Sequence, residues 1–130
     1  QEKMAYNPHL ADSLGADKYG MKVYTFVILK TGTKTYEKPV QDSLMKGHMS
    51  NISKLVADGK LIVAGPFQKN EKGFRGLFIL NTKNADEAKQ LLLTDPSISS
   101  GIFEVEQYQW YGSAALPIYL PYHDAMIKRE

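Results

Sequence analysis

A chain of 130 residues with 43% hydrophobic and 23% charged side chains has the size and make-up of one globular domain, which excludes disorder, a fibrous repeat and a second full core. Its 16 basic and 14 acidic residues leave a net charge of +2 spread along the chain, so no footprint for nucleic acid or anionic lipid stands out. The absence of cysteine removes disulfides, thiolate zinc sites and cysteine nucleophiles, and no apolar run nears the roughly 20 residues that a membrane-crossing helix needs.

Residues 1–20 are mixed and polar, are interrupted by Pro8, Gly15 and Gly20, and read as an N-terminal arm. Gln1 in place of an initial Met suits a mature protein whose signal peptide has been cut away, which predicts a periplasmic or secreted location. Trimming of an expressed chain gives the same start and leaves a cytoplasmic location open. Residues 21–29 are rich in β-branched and aromatic side chains and predict the first strand. A loop over residues 30–38 leads to Pro39, whose missing N–H is harmless in the first turn of a helix.

Along that helix Leu44, His48, Ile52, Leu55 and Val56 recur at three- and four-residue steps, while Asp42, Lys46, Asn51, Ser53 and Lys54 fall mostly elsewhere. Asp58-Gly59 closes it, because glycine takes the left-handed conformation of a helix end. Residues 61–64, stopping at Gly65-Pro66, and residues 74–80 predict a β-hairpin. Asn84 then caps a short second helix, with Asp86 and Glu87 at the positive end of its dipole and Ala88, Leu91 and Leu92 as its buried stripe. Asp95-Pro96 ends it and residues 97–101 read as a loop. A last strand runs from residue 102 to about Trp110, and residues 112–130 form a C-terminal tail.

The order strand, helix, strand, strand, helix, strand within residues 21–111 is the ferredoxin-like α+β sandwich, four strands with both helices on one face. Tyr24, Phe26, Phe78 and Phe103 are expected to line the other, bare face, and a homodimer packed face to face into a barrel-like interior is the natural way to cover it.

His48 interrupts the apolar face of the first helix. It can serve as general base or acid if a carboxylate orients its other nitrogen, or can be a core histidine satisfied by a backbone carbonyl. Asp95 is the best carboxylate for that task, with a plain turn-forming role as its alternative. Gly65 and Pro66 bring backbone close to a ligand or merely terminate a strand. Trp110 and Tyr111, with Tyr108, floor a pocket or belong to core or interface. His123-Asp124 and His9 read as surface. No phosphate-cradling glycine loop, no histidine pair four apart and no nucleophile elbow is present, so neither a metal nor a cofactor is expected; Lys72 and Arg75 near the hairpin could meet an anion, with solvated hairpin charges as the default reading.

Taken in order, His48, Leu55, Asp58-Gly59-Lys60-Leu61, Ala64-Gly65-Pro66, Gly76, Ala85, Glu87-Ala88, Thr94-Asp95-Pro96, Gly101 and Trp110 resemble the YCII-related family over residues 21–111. The resemblance implies a dimeric ferredoxin-like α/β barrel, with a cleft in which a helix histidine and the aspartate of an Asp-Pro segment lie together, at the positions of His48 and Asp95. A dehydrochlorinase of a chlorinated hydroxyhydroquinone among the relatives implies proton abstraction by such a dyad. Met45 and Lys46 stand where an arginine often precedes the histidine, which weakens the reading of an anionic substrate, and arms extend both ends. The expectation is an enzyme of lyase or hydrolase type acting on a small aromatic molecule. His48 is its general base or acid, Asp95 orients it, and Gly65, Pro66 and Trp110 shape the pocket. The alternative is a non-catalytic ligand-binding or structural dimerisation domain, in which the dyad is sealed under apolar side chains.

Overall fold

The computed structural model describes residues 3–129; Gln1, on which the export reading turns, lies outside them. In chain order the elements are α1 (Pro8–Leu14), β1 (Met21–Thr31), α2 (Lys38–Ala57), β2 (Leu61–Pro66), β3 (Phe74–Leu80), α3 (Ala85–Leu92), α4 (Pro96–Ser99), β4 (Phe103–Ser113), a 3-10 turn (Leu116–Tyr119) and α5 (Leu120–Met126). Residues 23–110 form one compact unit, and the two ends form another.

Three α-helices, α1, α4 and α5, and the 3-10 turn were not expected, and α1 and α4 have clear local causes. The Asn7 side chain accepts the Leu10 N–H at 3.0 Å, Pro8 opens α1, and Gly15 closes it at φ +71°. Residues that look like interruptions in a polar arm are thus a start and a stop. In the same way Asp95 does not simply end a helix: its Oδ1 accepts the Ser97 N–H at 2.9 Å and, with Pro96 in the first turn, starts α4 where a loop was expected. Asn84 caps α3 as anticipated, accepting the Glu87 N–H at 2.8 Å.

The sheet order is β2-β3-β1-β4, with β3 antiparallel to both neighbours. Lys30 pairs with Glu106 at 2.8 Å and Gln109 donates to Thr25 Oγ1 at 3.2 Å, so numbers fall along β4 as they rise along β1 and this pair is antiparallel too. This is the ferredoxin-like α+β fold.

Val27 and Leu29 of β1, Phe78 and Leu80 of β3, Leu55 of α2, Ala88 and Leu92 of α3, and Phe103 of β4 form one buried cluster. Phe78 and Phe103 therefore lie under the helices and not on the opposite face, where they were expected. The cause is register: Phe78 stands directly opposite Val27, and directly opposed residues share a face. Tyr24 and Phe26 alternate with that set and point the other way, Tyr24 with its ring centroid 5.9 Å from that of Trp110.

In the terminal unit the Ala114 N–H donates to the Gly20 carbonyl at 2.8 Å. The Tyr111 hydroxyl donates to the Asp17 carboxylate. That bond is the main reason the Asp17 carboxyl is held below, and the Tyr111 hydroxyl above, its ordinary value.

Candidate active site

Twenty residues of α2 carry His48 on the face that meets the sheet, and the residue is only 8% exposed. Its Nδ1 lies 2.6 Å from Asp95 Oδ2, and Asp95 is 1% exposed. The other carboxylate oxygen accepts two bonds from Ser97, the backbone N–H at 2.9 Å and the hydroxyl at 2.7 Å, and the same hydroxyl oxygen lies 3.1 Å from His48 Nδ1. A carboxylate only accepts, so the proton between the two groups belongs to Nδ1, and Nε2 is left to exchange protons with anything beside it.

Two forces oppose each other at Asp95. Burial is the largest influence and pushes its carboxyl upward; the His48 bond, the Ser97 hydroxyl and backbone N–H, and the nearby imidazole charge together outweigh it and hold the group below the ordinary 3.8. The site therefore keeps a carboxylate.

Packing fixes the ring as firmly as hydrogen bonding does. Phe78 stacks on it with centroids 6.2 Å apart and planes 21° apart, and Phe103 meets it edge-on at 5.5 Å and 76°. Gly47 lets α2 come this close: a Cβ there would lie 2.6 Å from Pro96 Cγ, nearer than real contacts allow. Gly47→Ala is thus expected to force α2 away from the Asp95 turn, lowering stability by about 1–3 kcal/mol and removing the far-downfield NMR signal of a hydrogen-bonded Nδ1–H. Urea melts and proton spectra check this. Helix propensity alone predicts a gain of up to about 1 kcal/mol, and a stabilised variant with the signal intact would refute the close-approach role.

His48 opens on a cavity of about 340 Å³. Met45, Met49 and Ile52 of α2 form one wall, and Leu29, Phe78 and Phe103 of the sheet form another. Ala64, Gly65, Pro66, Arg75 and Gly76 complete it. Among the described residues no protein group bonds to Nε2, and that atom is not one of the buried, unpartnered polar atoms. Gly65 and Pro66, the last two residues of β2, pair with Leu77 and Gly76 and line the cavity, so Pro66 ends the strand and borders the pocket at once.

Trp110, expected in the same pocket, does not line it: strand alternation turns it with Tyr24 to the other face of the sheet. Tyr111 bonds to Asp17 instead of flooring a pocket, and His123 sits in α5 with its ring 6.2 Å from Tyr119. Ser97 and Gly47 were not anticipated at the site, and Arg75, weighed as a hairpin charge that could meet an anion, was not placed in the pocket. A serine two residues after an aspartate that caps a helix was a signal for the first; the places of the other two depend on contacts between distant segments. Among the described residues no group of three His, Cys, Asp or Glu is placed to hold a metal, and no helix is long and apolar enough to cross a membrane.

Fold and site define a class: a ferredoxin-like domain with a buried histidine–aspartate pair beside an apolar cavity. Residues 24–110 match the YCII-related domain, and the chain belongs to that family. Among solved structures it is similar to the 5-chloro-2-hydroxyhydroquinone dehydrochlorinase of Burkholderia phenoliruptrix AC1100, solved with 2,5-dihydroxybenzoquinone. That match has 22% identity, a TM-score of 0.46, and covers 66% of this chain and 92% of the other. No curated protein matches it.

Proposed function

We propose that this protein is an enzyme that moves a proton on a small, largely apolar or aromatic molecule, with His48 as general base and acid and Asp95 as the residue that orients it. The observation that carries the reading is the 2.6 Å Nδ1–Oδ2 contact combined with the place of the same His48 in the lining of a cavity of about 340 Å³. In such a site Nε2 takes a proton from a carbon or hydroxyl of the substrate, Asp95 stabilises the imidazolium that results, and the same proton returns to a leaving group or to a neighbouring atom of the substrate. Gly65 and Pro66 shape the wall facing α2. The test is incubation in D2O with a panel of hydroxylated aromatics and keto acids, following deuterium uptake or loss of a leaving group by NMR, for wild type and His48→Gln. Reaction in the wild type alone supports the enzyme; equal reaction in both sinks it.

A structural reading has its own observation: Asp95 also caps α4, so the network holds helix ends together whether or not chemistry occurs. Binding of panel compounds at the cavity without turnover of any would favour a ligand-binding domain.

We further propose that two copies pair through the sheet face opposite the helices, where Tyr108 and Trp110 are exposed and Phe26 and Ile28 are half-buried. Sedimentation equilibrium is expected to give twice the chain mass, and Trp110→Glu to return it to the single-chain mass. A wild type at single-chain mass across the concentration range would exclude the pairing.

A further inference from the structure

Proton transfer leaves Arg75 without a purpose. Lys30, Lys38, Lys54, Lys60 and Arg129 each face a carboxylate within 4 Å, whereas among the described residues Arg75 has no acidic partner. Instead its Cζ lies 5.4 Å from the centroid of the Phe103 ring, whose centroid is 5.5 Å from that of His48. Guanidinium and imidazole thus share one aromatic neighbour and stand no farther apart than those two distances laid end to end. Among the described residues no carboxylate lines the cavity. Asp95 is turned toward His48 and Ser97 and is kept as a carboxylate behind the site. An anion entering an apolar hollow in front of that charge would be repelled unless a cation offset it, and Arg75 is the cation in the lining.

We propose that the cavity takes a small organic acid, whose carboxylate or phenolate Arg75 holds while its flat apolar body lies against Phe78, Phe103 and the Met45 and Met49 thioethers. This rests on the cavity being the substrate site and adds the charge of the substrate. The guanidinium suits the task because its parallel N–H donors match two carboxylate oxygens, and the Phe103 ring beneath it limits its freedom.

Arg75 also borders a second, more polar hollow with Lys69 and Asn70, so the test must tell the two apart. Benzoate and its neutral isostere benzamide are titrated by calorimetry into wild type, Arg75→Gln and Lys69→Gln, with NMR mapping of the shifted residues. The wild type is expected to bind benzoate at least about tenfold tighter than benzamide, Arg75→Gln to erase that preference, and Lys69→Gln to keep it, with shifts at Phe103 and His48. Absence of benzoate binding, equal affinity for the two compounds, a loss in Lys69→Gln matching that in Arg75→Gln, or shifts confined to the Lys69 hollow would each overturn the proposal. An Arg75-dependent preference in a protein with no proton-transfer activity upholds the anion site and sinks the catalytic reading; turnover without the preference does the reverse.

Discussion

Replacing His48 by glutamine is expected to lower kcat/KM for any compound the protein turns over by on the order of 10²–10⁴-fold, the usual contribution of a positioned acid or base, while the folded state survives. The glutamine amide keeps a donor within reach of Asp95, so the buried carboxylate is not left bare, yet an amide cannot carry a proton at neutral pH. His48→Ala is the harsher variant: it removes the ring from between Phe78 and Phe103 and leaves Asp95 with Ser97 alone. Circular dichroism and urea melts on both variants, alongside rates, separate lost chemistry from lost folding. A glutamine variant with near-native rates would show that Nε2 takes no part.

The largest effect on stability is expected at Asp95. Asp95→Ala removes the cap of α4, which costs about 1 kcal/mol, and strands the His48 Nδ1–H and the Ser97 hydroxyl in a buried place, adding about 1–3 kcal/mol for such unpaired groups. A total on the order of 3 kcal/mol is therefore expected in urea unfolding. Asp95→Asn keeps an oxygen for the Ser97 donors and should fold far better, while losing the charge that fixes the imidazole. The acid limb gives a second readout. The Asp95 carboxyl is held below 3.8, its ordinary value, so its contribution is fully present above that pH and is lost as pH falls through the lower folded-state value. Wild type should therefore lose more stability below about pH 4 than Asp95→Asn does. Equal acid sensitivity would show that the Asp95 charge contributes little, and an alanine variant as stable as the asparagine one would show the same of its hydrogen bonds.

The ferredoxin-like order was legible because it rests on local pattern: a β-branched and aromatic run over residues 21–29, alternation over residues 102–110, a three- and four-residue step from Leu44 to Val56, and a turn between two apolar runs. The short helices α1 and α4 were not, because Pro8, Gly15 and Pro96 serve equally as breaks or as helix boundaries, and which role they take depends on whether Asn7 and Asp95 find the N–H groups beyond them. His48 and Asp95 were picked out by their places at the middle of one apolar face and at the end of another element. Their meeting was implied by the family resemblance alone, since nothing in spacing links them. Phe78, Phe103 and Trp110 show the limit of alternation: it sorts a strand into two sets but does not say which set meets the helices until the register with β1 is known. The places of Gly47 and Arg75 at the site were not legible for a related reason, each being set by a neighbour on a distant segment, Pro96 in one case and Phe103 in the other.

The dyad joins residues 47 positions apart, and β2, β3 and α3 all lie between them. On a chain emerging from the ribosome, His48 therefore waits unpaired until the Asp-Pro turn has been made and docked, and no fragment ending before Asp95 contains a site at all. Closing so long a loop is entropically expensive and rewarded only when the intervening hairpin is already in register. The Nδ1–H signal therefore reports that these distant segments have come together, and not merely that α2 has formed.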